Sequence, residues 1–281
     1  MANAFALDLT VLDLVGKDAD GILNNLTTND VKSLAEGESC ETFLTDVRGK
    51  TLAHVQATRI DGGFRLVGPA GLVDVISGHI DRYTICEDAT PRDRAADSKC
   101  VVVAPDAVDA CSTPSLQSAI QFSVDVSWLG ERTRVLLVDD LAPIAEVFEG
   151  KLGDEAAFHQ ARILANFPWY GIDLSDKNLP QEANRIERTI CFTKGCYLGQ
   201  ETVARLDALG QVQKQLVRWE TRGAIPASGA EVSFDEKIVG RLTSVVPTGD
   251  DTAIAIGMTR RSHFDAGSTA TGEGFEATVI A

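Results

Sequence analysis

Past Gly210 the chain loses every trace of a helical repeat. Short runs at 215–219, 231–234, 237–245, 253–258 and 269–279 alternate with turn residues up to the end of the sequence. Strands this short and closely spaced have no helices to cover them. Closing on themselves removes their open edges, so a small β-barrel is the expected form. A boundary near Gly210 follows, with a body over 1–210, expected as two subdomains, and a barrel over 211–281.

Strands and helices mix ahead of that boundary. An apolar strand at 11–15 runs into Gly16, and Asp18 is placed to cap a helix carrying Ile22, Leu23 and Leu26, which Asn29-Asp30 ends. Strands at 42–47 and 51–60 flank a hairpin loop, Arg48-Gly49-Lys50, and Asp61-Gly62-Gly63 turns the chain into a strand at 64–67. From Pro69, the residues Leu72, Val75, Ile76, His79 and Ile80 fall on one helical face. His79 on that face reads as a core-edge histidine, since nothing pairs with it at metal-ligand spacing. Strands at 84–86, 99–104, 120–126 and 133–138 follow, then helices at 143–151 and 155–164, the second capped by Asp154. There is no regular βαβ alternation, so the fold class is α+β. Residues 165–211 hold Pro, Gly, Asn and Asp with little period, as a long ordered loop that carries function does.

Charge and cysteine usage narrow the partners. With 44% hydrophobic and 24% charged residues the chain is an ordinary globular one, which excludes disordered and fibrous readings. No apolar run suits a membrane span, and the opening segment has neither a basic region nor a cleavage pattern, so a cytoplasmic protein is expected. A net charge of −15 disfavours nucleic acid and anionic membrane as partners. The excess lies before residue 159. Residues 159–211 carry six acids and six bases, where a small anion meets least repulsion. Cys40, Cys86, Cys100, Cys111, Cys191 and Cys196 include no Cys-x-x-Cys pair, so no metal site is expected and free thiols in a reducing compartment fit best.

The densest local feature is Lys194-Gly195-Cys196-Tyr197-Leu198-Gly199-Gln200-Glu201. A short buried strand at 189–192 and a helix at 200–209 put Cys196 in the turn between them, just ahead of a helix N-terminus. Gly195 and Gly199 permit backbone that a Cβ would hinder. The helix dipole and Lys194 favour a thiolate at Cys196 over the other five cysteines. A structural thiol in a tight turn is the competing reading. No His neighbours Cys196, and no nucleophile elbow, phosphate loop or dinucleotide fingerprint is present.

KGCYLGQE resembles the K-G-C-Y-x-G-Q-E signature of the YgfZ family, folate-binding proteins that serve iron–sulfur enzymes. The resemblance extends along nearly the whole chain, through VGKDADGILNNLTTNDVKSLAEGESCETFLTDVRGK, LVGPAG with Tyr83, ARILANFPWYGIDL and LPQEANRIERTICFTKGCYLGQE. That family is similar to the aminomethyltransferase of the glycine cleavage system, which implies a folate-binding channel closed by the C-terminal barrel. The resemblance implies tetrahydrofolate as cofactor, iron–sulfur client enzymes or assembly proteins as partners, and Cys196 as the key thiol. It places Glu182, in LPQEAN, on the pterin, where a carboxylate suits the ring-edge N–H donors. Lys194, Tyr197, Arg205 and Trp169 are its further folate contacts. Arg205 could instead pair with Glu201, and Trp169 and its neighbour Tyr170 could instead serve the core.

One departure separates the branches. The aminomethyltransferases carry a catalytic Asp just beyond the hairpin, whereas Thr51-Leu52-Ala53-His54 follows here, with no acid before Asp61. The resemblance therefore points to an accessory factor for iron–sulfur cluster assembly or repair rather than a turnover enzyme. The alternatives are a folate-dependent one-carbon transferase, with Asp46 or His54 replacing the missing acid, and a folate-binding adaptor without chemistry. Transfer of a cluster through Cys196 would need ligands from a partner, since one thiolate is far short of four.

Overall fold

The computed structural model describes residues 2–210 and 212–281. The first strand, β1 (Ala4–Leu7), and the second, β2 (Leu9–Val15), are separated by Asp8 alone, yet they belong to different sheets. After β2 come α1 (Ala19–Leu26), β3 (Ser39–Thr45), β4 (Thr51–Ile60), β5 (Gly63–Pro69), α2 (Val73–Tyr83) and β6 (Thr90–Asp93). These strands form one five-stranded sheet in the order β3-β4-β5-β2-β6. Then follow β7 (Lys99–Val103), α3 (Pro114–Gln117), β8 (Ile120–Val126), β9 (Thr133–Val138), α4 (Ala142–Val147), β10 (Leu152–Gly153) and α5 (Glu155–Leu164). They build a second sheet, β10-β1-β7-β9-β8, in which β1 runs parallel to β10 and antiparallel to β7. A 3₁₀ turn at Pro180–Ala183 and the helices α6 (Ile186–Thr189) and α7 (Gln200–Leu209) lead to the barrel.

The barrel is closed, in the order β11 (Lys214–Gly223), β14 (Thr252–Arg260), β13 (Lys237–Pro247), β12 (Glu231–Phe234), β15 (Thr269–Gly272), β16 (Phe275–Ile280), with β16 returning to β11. Alternation sorts its side chains. Val217, Trp219, Leu242, Ala255 and Phe275 fill the interior. Leu216, Val246, Ile254 and Ile256 face outward and join the core of the first sheet, against Ile163, Tyr170 and Leu174. The amphipathic helices complete that core, α1 with Ile22, Leu23 and Leu26, and α2 with Ile76 and Ile80. Each such side chain contributes about 1.5–3 kcal/mol on burial. The mixed α/β body and the closed barrel agree with the α+β reading; Gln211, where the barrel segment was placed to begin, lies outside the described residues.

A buried polar network also ties body to barrel. Arg162, 1% exposed, donates to Asp173 Oδ2 (2.7 Å), to the Phe167 carbonyl (3.1 Å) and to Ser244 of β13 (2.8 Å). Asp173 Oδ1 accepts from Ser244 (2.7 Å) and Thr243.

Several expectations need correction. No strand forms at 84–86, because the Glu87 carboxylate takes the N–H groups of Ile85 (2.8 Å) and Cys86 (3.0 Å); the strand lies later, in β6. The helix after Pro69 starts at Val73, since Pro69 still closes β5. The 143–151 helix stops at Val147, ahead of Glu149 and Gly150 with positive φ. Asp18 stands at the α1 cap position, but its carboxylate accepts from the Asp88 N–H instead. Asp154 does cap α5, through the Ala157 N–H at 2.9 Å. The 269–279 run is a hairpin, turned at Gly274 with φ +80°.

Candidate functional site

The signature turn rests on two distant parts of the chain. The first is the end of α1 and the residues after it. Leu198 donates its N–H to the Asn25 carbonyl (2.8 Å) and Cys191 donates its own to Thr28 (3.0 Å). The Thr28 hydroxyl donates to the Thr189 carbonyl (2.6 Å), and the Asn29 amide reaches the Arg188 carbonyl (2.8 Å). The second is the β3–β4 hairpin. Thr45 donates to the Leu198 carbonyl at 2.7 Å. Gly199, with φ +81°, lies so close to the hairpin tip that a Cβ on it would stand 2.5 Å from the Asp46 carbonyl oxygen and from the Gly49 Cα. Gly199 is thus required by conformation and by contact. Gly195 is not: its φ is ordinary for any residue, and a Cβ there meets nothing within 4 Å. The expected strand at 189–192 is absent as well. α6 ends at Thr189, and Phe192 is exposed.

Cys196 is exposed and lines a cleft of about 370 Å³ with Ile22, Asn25, Leu26, Tyr83, Tyr197 and Leu198. Tyr197 is buried with Ile190 and Val203, and burial pushes its hydroxyl up to about 12. Lys194 is buried, whereas Cys196 is exposed. Its ammonium donates to the carbonyls of Asn24 (2.7 Å), Thr27 (2.8 Å) and Asn29 (2.6 Å) and lies 5.2 Å over the Tyr197 ring. Burial lowers its pKa to about 8, while Asp30, Cys40 and Cys191 pull the other way. The charge expected to act on Cys196 thus also meets Asp30, Cys40 and Cys191. Burial pushes the Cys40 thiol up to about 12 and Cys100 to about 11. The Cys191 thiol is held below its ordinary value, by hydrogen bonds from the Thr193 hydroxyl and from the N–H groups of Thr193 and Lys194. Sequence reasoning passed over it because it lies outside the glycine-flanked turn.

The remaining expected residues are spread around this turn. Glu182 is buried in the 3₁₀ turn. Its Oε2 accepts from the Asn178 amide (2.7 Å) and the Leu179 N–H (3.2 Å) and stands 3.4 Å from the Lys214 ammonium of β11. Neighbouring Gln181 donates to the Val203 carbonyl of α7, so this turn and the signature helix are joined. Trp169 is placed in the core, edge-on to Trp128 (5.1 Å) and Phe158 (5.0 Å). The Tyr170 hydroxyl donates to the Thr51 carbonyl, and burial pushes it up to about 12. Arg205 is exposed on α7 and forms no ion pair with Glu201 or any other described acid. None of Glu182, Lys194, Trp169 and Arg205 lines the Cys196 cleft.

His79 is buried on α2, its Nε2 3.1 Å from the Thr45 carbonyl and its ring edge-on to Tyr83; burial lowers its pKa. Asp46 caps the hairpin, accepting from the N–H groups of Arg48 and Lys50, both at 2.8 Å. His54 is stacked between Phe43 (4.3 Å) and Phe167 (5.6 Å), with Nε2 2.7 Å from Glu41 Oε1. Glu41 also receives a bidentate Arg185 guanidinium, at 2.5 and 2.6 Å, and the Ser127 hydroxyl at 3.2 Å. Burial opposes charge on Glu41, but the bonds from Arg185 and His54 outweigh it and hold the carboxyl well below the usual range. This cluster joins both sheets to the segment before the signature, and only the placement of β3 beside α6 brings it together.

No family model matches the chain. Among curated proteins it is 30% identical over 244 residues to the Homo sapiens mitochondrial iron–sulfur cluster assembly factor IBA57, covering 80% of this chain and 68% of that protein. It is 26% identical over 250 residues to the tRNA-modifying protein YgfZ of Klebsiella pneumoniae, covering 81% and 74%. The crystal structure of the glycine cleavage system aminomethyltransferase T from Bartonella henselae superposes with a TM-score of 0.85 at 17% identity, over 100% of this chain and 85% of that one, which shows a shared fold. With the signature turn closed on α1 and on the hairpin, and with this likeness over most of its length, the chain belongs to the YgfZ and IBA57 family, built on an aminomethyltransferase-like fold.

Proposed function

We propose that this chain is a tetrahydrofolate-binding accessory factor for the assembly or repair of iron–sulfur clusters in client enzymes, with Cys196 as its working thiol. The observation that carries the reading is the presentation of Cys196. It is exposed at the mouth of an apolar cleft, on a turn anchored to α1 and to the hairpin. A structural thiol needs neither exposure nor a cleft. The curated relatives named for iron–sulfur assembly support the same reading.

The folate component stands on the chemistry of Glu182. The carboxylate is buried, and its described hydrogen bonds and ion pair all fall on Oε2. Oε1 retains acceptor capacity for the N–H donors of a pterin edge, so the donor set fits. Folate supplies one-carbon chemistry when bound; this chain's part is to hold the ring through Glu182, which stands 3.4 Å from the Lys214 ammonium. Lys194, Tyr197, Arg205 and Trp169 remain the further proposed folate contacts; of these Arg205 is exposed, Trp169 packs in the core, and the Lys194 ammonium already meets three carbonyls.

The transferase alternative has less to work with. Asp46 is engaged in the hairpin, and His54 is enclosed between two rings with Glu41.

Two measurements test the reading. In a strain lacking its own relative, wild-type protein should restore iron–sulfur enzyme activity and Cys196→Ala should not; full rescue by Cys196→Ala sinks the thiol assignment. Calorimetry with tetrahydrofolate should show binding that Glu182→Gln weakens on the order of 10- to 100-fold, the worth of a hydrogen bond to a charged group. Equal affinity for both proteins removes Glu182 from the site.

A further inference from the structure

We propose that Lys194 is a positioning residue for Cys196: its ammonium caps the carbonyls around the end of α1 and thereby fixes the turn that holds the thiol at the cleft. The inference rests on Cys196 being the working thiol.

A helix leaves its last carbonyls without intrahelical partners, and a lysine can take them up. At the end of α1 that lysine comes from about 170 positions away in sequence, and it satisfies three carbonyls at once, those of Asn24, Thr27 and Asn29. An ammonium suits this task, because its three donors radiate from one atom. The Leu198 N–H donates to Asn25 on the same helix end. The turn is therefore pinned on both sides of Cys196 to a single element. Between the pins, Gly195 and Cys196 are exposed, while Lys194 and Tyr197 are buried. Leu26 and Ile22 of the same helix form part of the cleft wall, so the helix that receives the pins also sets the surface beside the thiol.

This differs from activation by charge. The ammonium is spent on carbonyl oxygens, and the ionisable groups that feel it are Asp30, Cys40 and Cys191. Lys194→Met should therefore act on Cys196 through the way the turn presents it.

The test is alkylation by iodoacetamide from pH 6 to pH 9, followed peptide by peptide in mass spectrometry, with exposed Cys86 as internal reference. In Lys194→Met the Cys196 rate relative to Cys86 should change at least about fivefold, as expected when a locally ordered turn opens or collapses. The midpoint of its pH profile should stay where it is in the wild type. An unchanged ratio overturns the proposal. A midpoint displaced upward by about half a unit or more also overturns it, in favour of charge activation. If Lys194→Met does not fold, Lys194→Gln takes its place, and hydrogen exchange at the Leu198 amide is read beside it. Faster exchange there with unchanged sheet protection supports the pin, and unchanged exchange refutes it. These readouts need neither folate nor a client enzyme. Rescue by Cys196→Ala would remove the functional reading and leave this bond set standing.

Discussion

Gly199→Ala offers a sharp test of how the signature turn is held, with Gly195→Ala as its control. Gly199 has φ +81° at the N-cap of α7. An L-residue held there costs roughly 1–2 kcal/mol. The added methyl would also stand 2.5 Å from the Asp46 carbonyl oxygen and the Gly49 Cα, and 2.6 Å from the Gly49 nitrogen. All three are backbone atoms, so no rotamer change relieves the clash, and overpacking of this kind adds about 1–3 kcal/mol. The total is about 2–5 kcal/mol, or on the order of 5–15 °C in thermal midpoint for a chain of this size. Gly195→Ala meets nothing within 4 Å and should fall within about 0.5 kcal/mol of the wild type. Thermal unfolding by circular dichroism compares the two at matched concentration. Equal midpoints for both variants would refute the claim that the turn is seated backbone to backbone on the hairpin.

The buried bridge between body and barrel predicts that Asp173→Ala, which strands the Arg162 charge, lowers stability by about 3–5 kcal/mol in urea unfolding. Arg162→Met added to it should recover part of that loss, and a strictly additive double variant would count against the bridge. Glu41 carries a pH signature. Its folded-state pKa is depressed, so its contribution is fully present above the ordinary carboxyl value of about 4.3 and is lost as pH falls below it. Unfolding free energy plotted against pH below about 5 should therefore fall less steeply in Glu41→Gln than in the wild type, and an identical slope would show that Glu41 is not among the groups driving acid unfolding.

Much of the architecture was legible locally because its signals are local. The apolar face from Leu72 to Ile80 identified α2, Asp154 marked the start of α5, and the spacing of turn residues beyond Gly210 pointed to the barrel. Errors arose where a side chain competed with the backbone ladder, as Glu87 does at 84–86, or where a strand was too short to show a period, as in β1. The candidate site divides the same way. Cys196 stood out through its flanking residues and is presented at a surface. The three carbonyls that the Lys194 ammonium meets are not legible beside it, because they lie about 165–170 positions away. The Glu41–Arg185–His54 cluster had no local signal, since its members come from β3, β4 and the segment before α6.

The single residue between β1 and β2 has a consequence for the order of events during synthesis. β2 finds its partners β5 and β6 once Asp93 has been made, so the first sheet can close early. β1, emerging beside it, pairs with β7 and, at its other edge, with β10 at Leu152–Gly153. At a ribosome's pace that last partner arrives roughly 3–12 s after the first sheet is complete. During that interval β1 has an open edge while the strand joined to it is already locked. The edge of β1 that takes β10 is therefore open to other extended segments until Leu152 and Gly153 are in place.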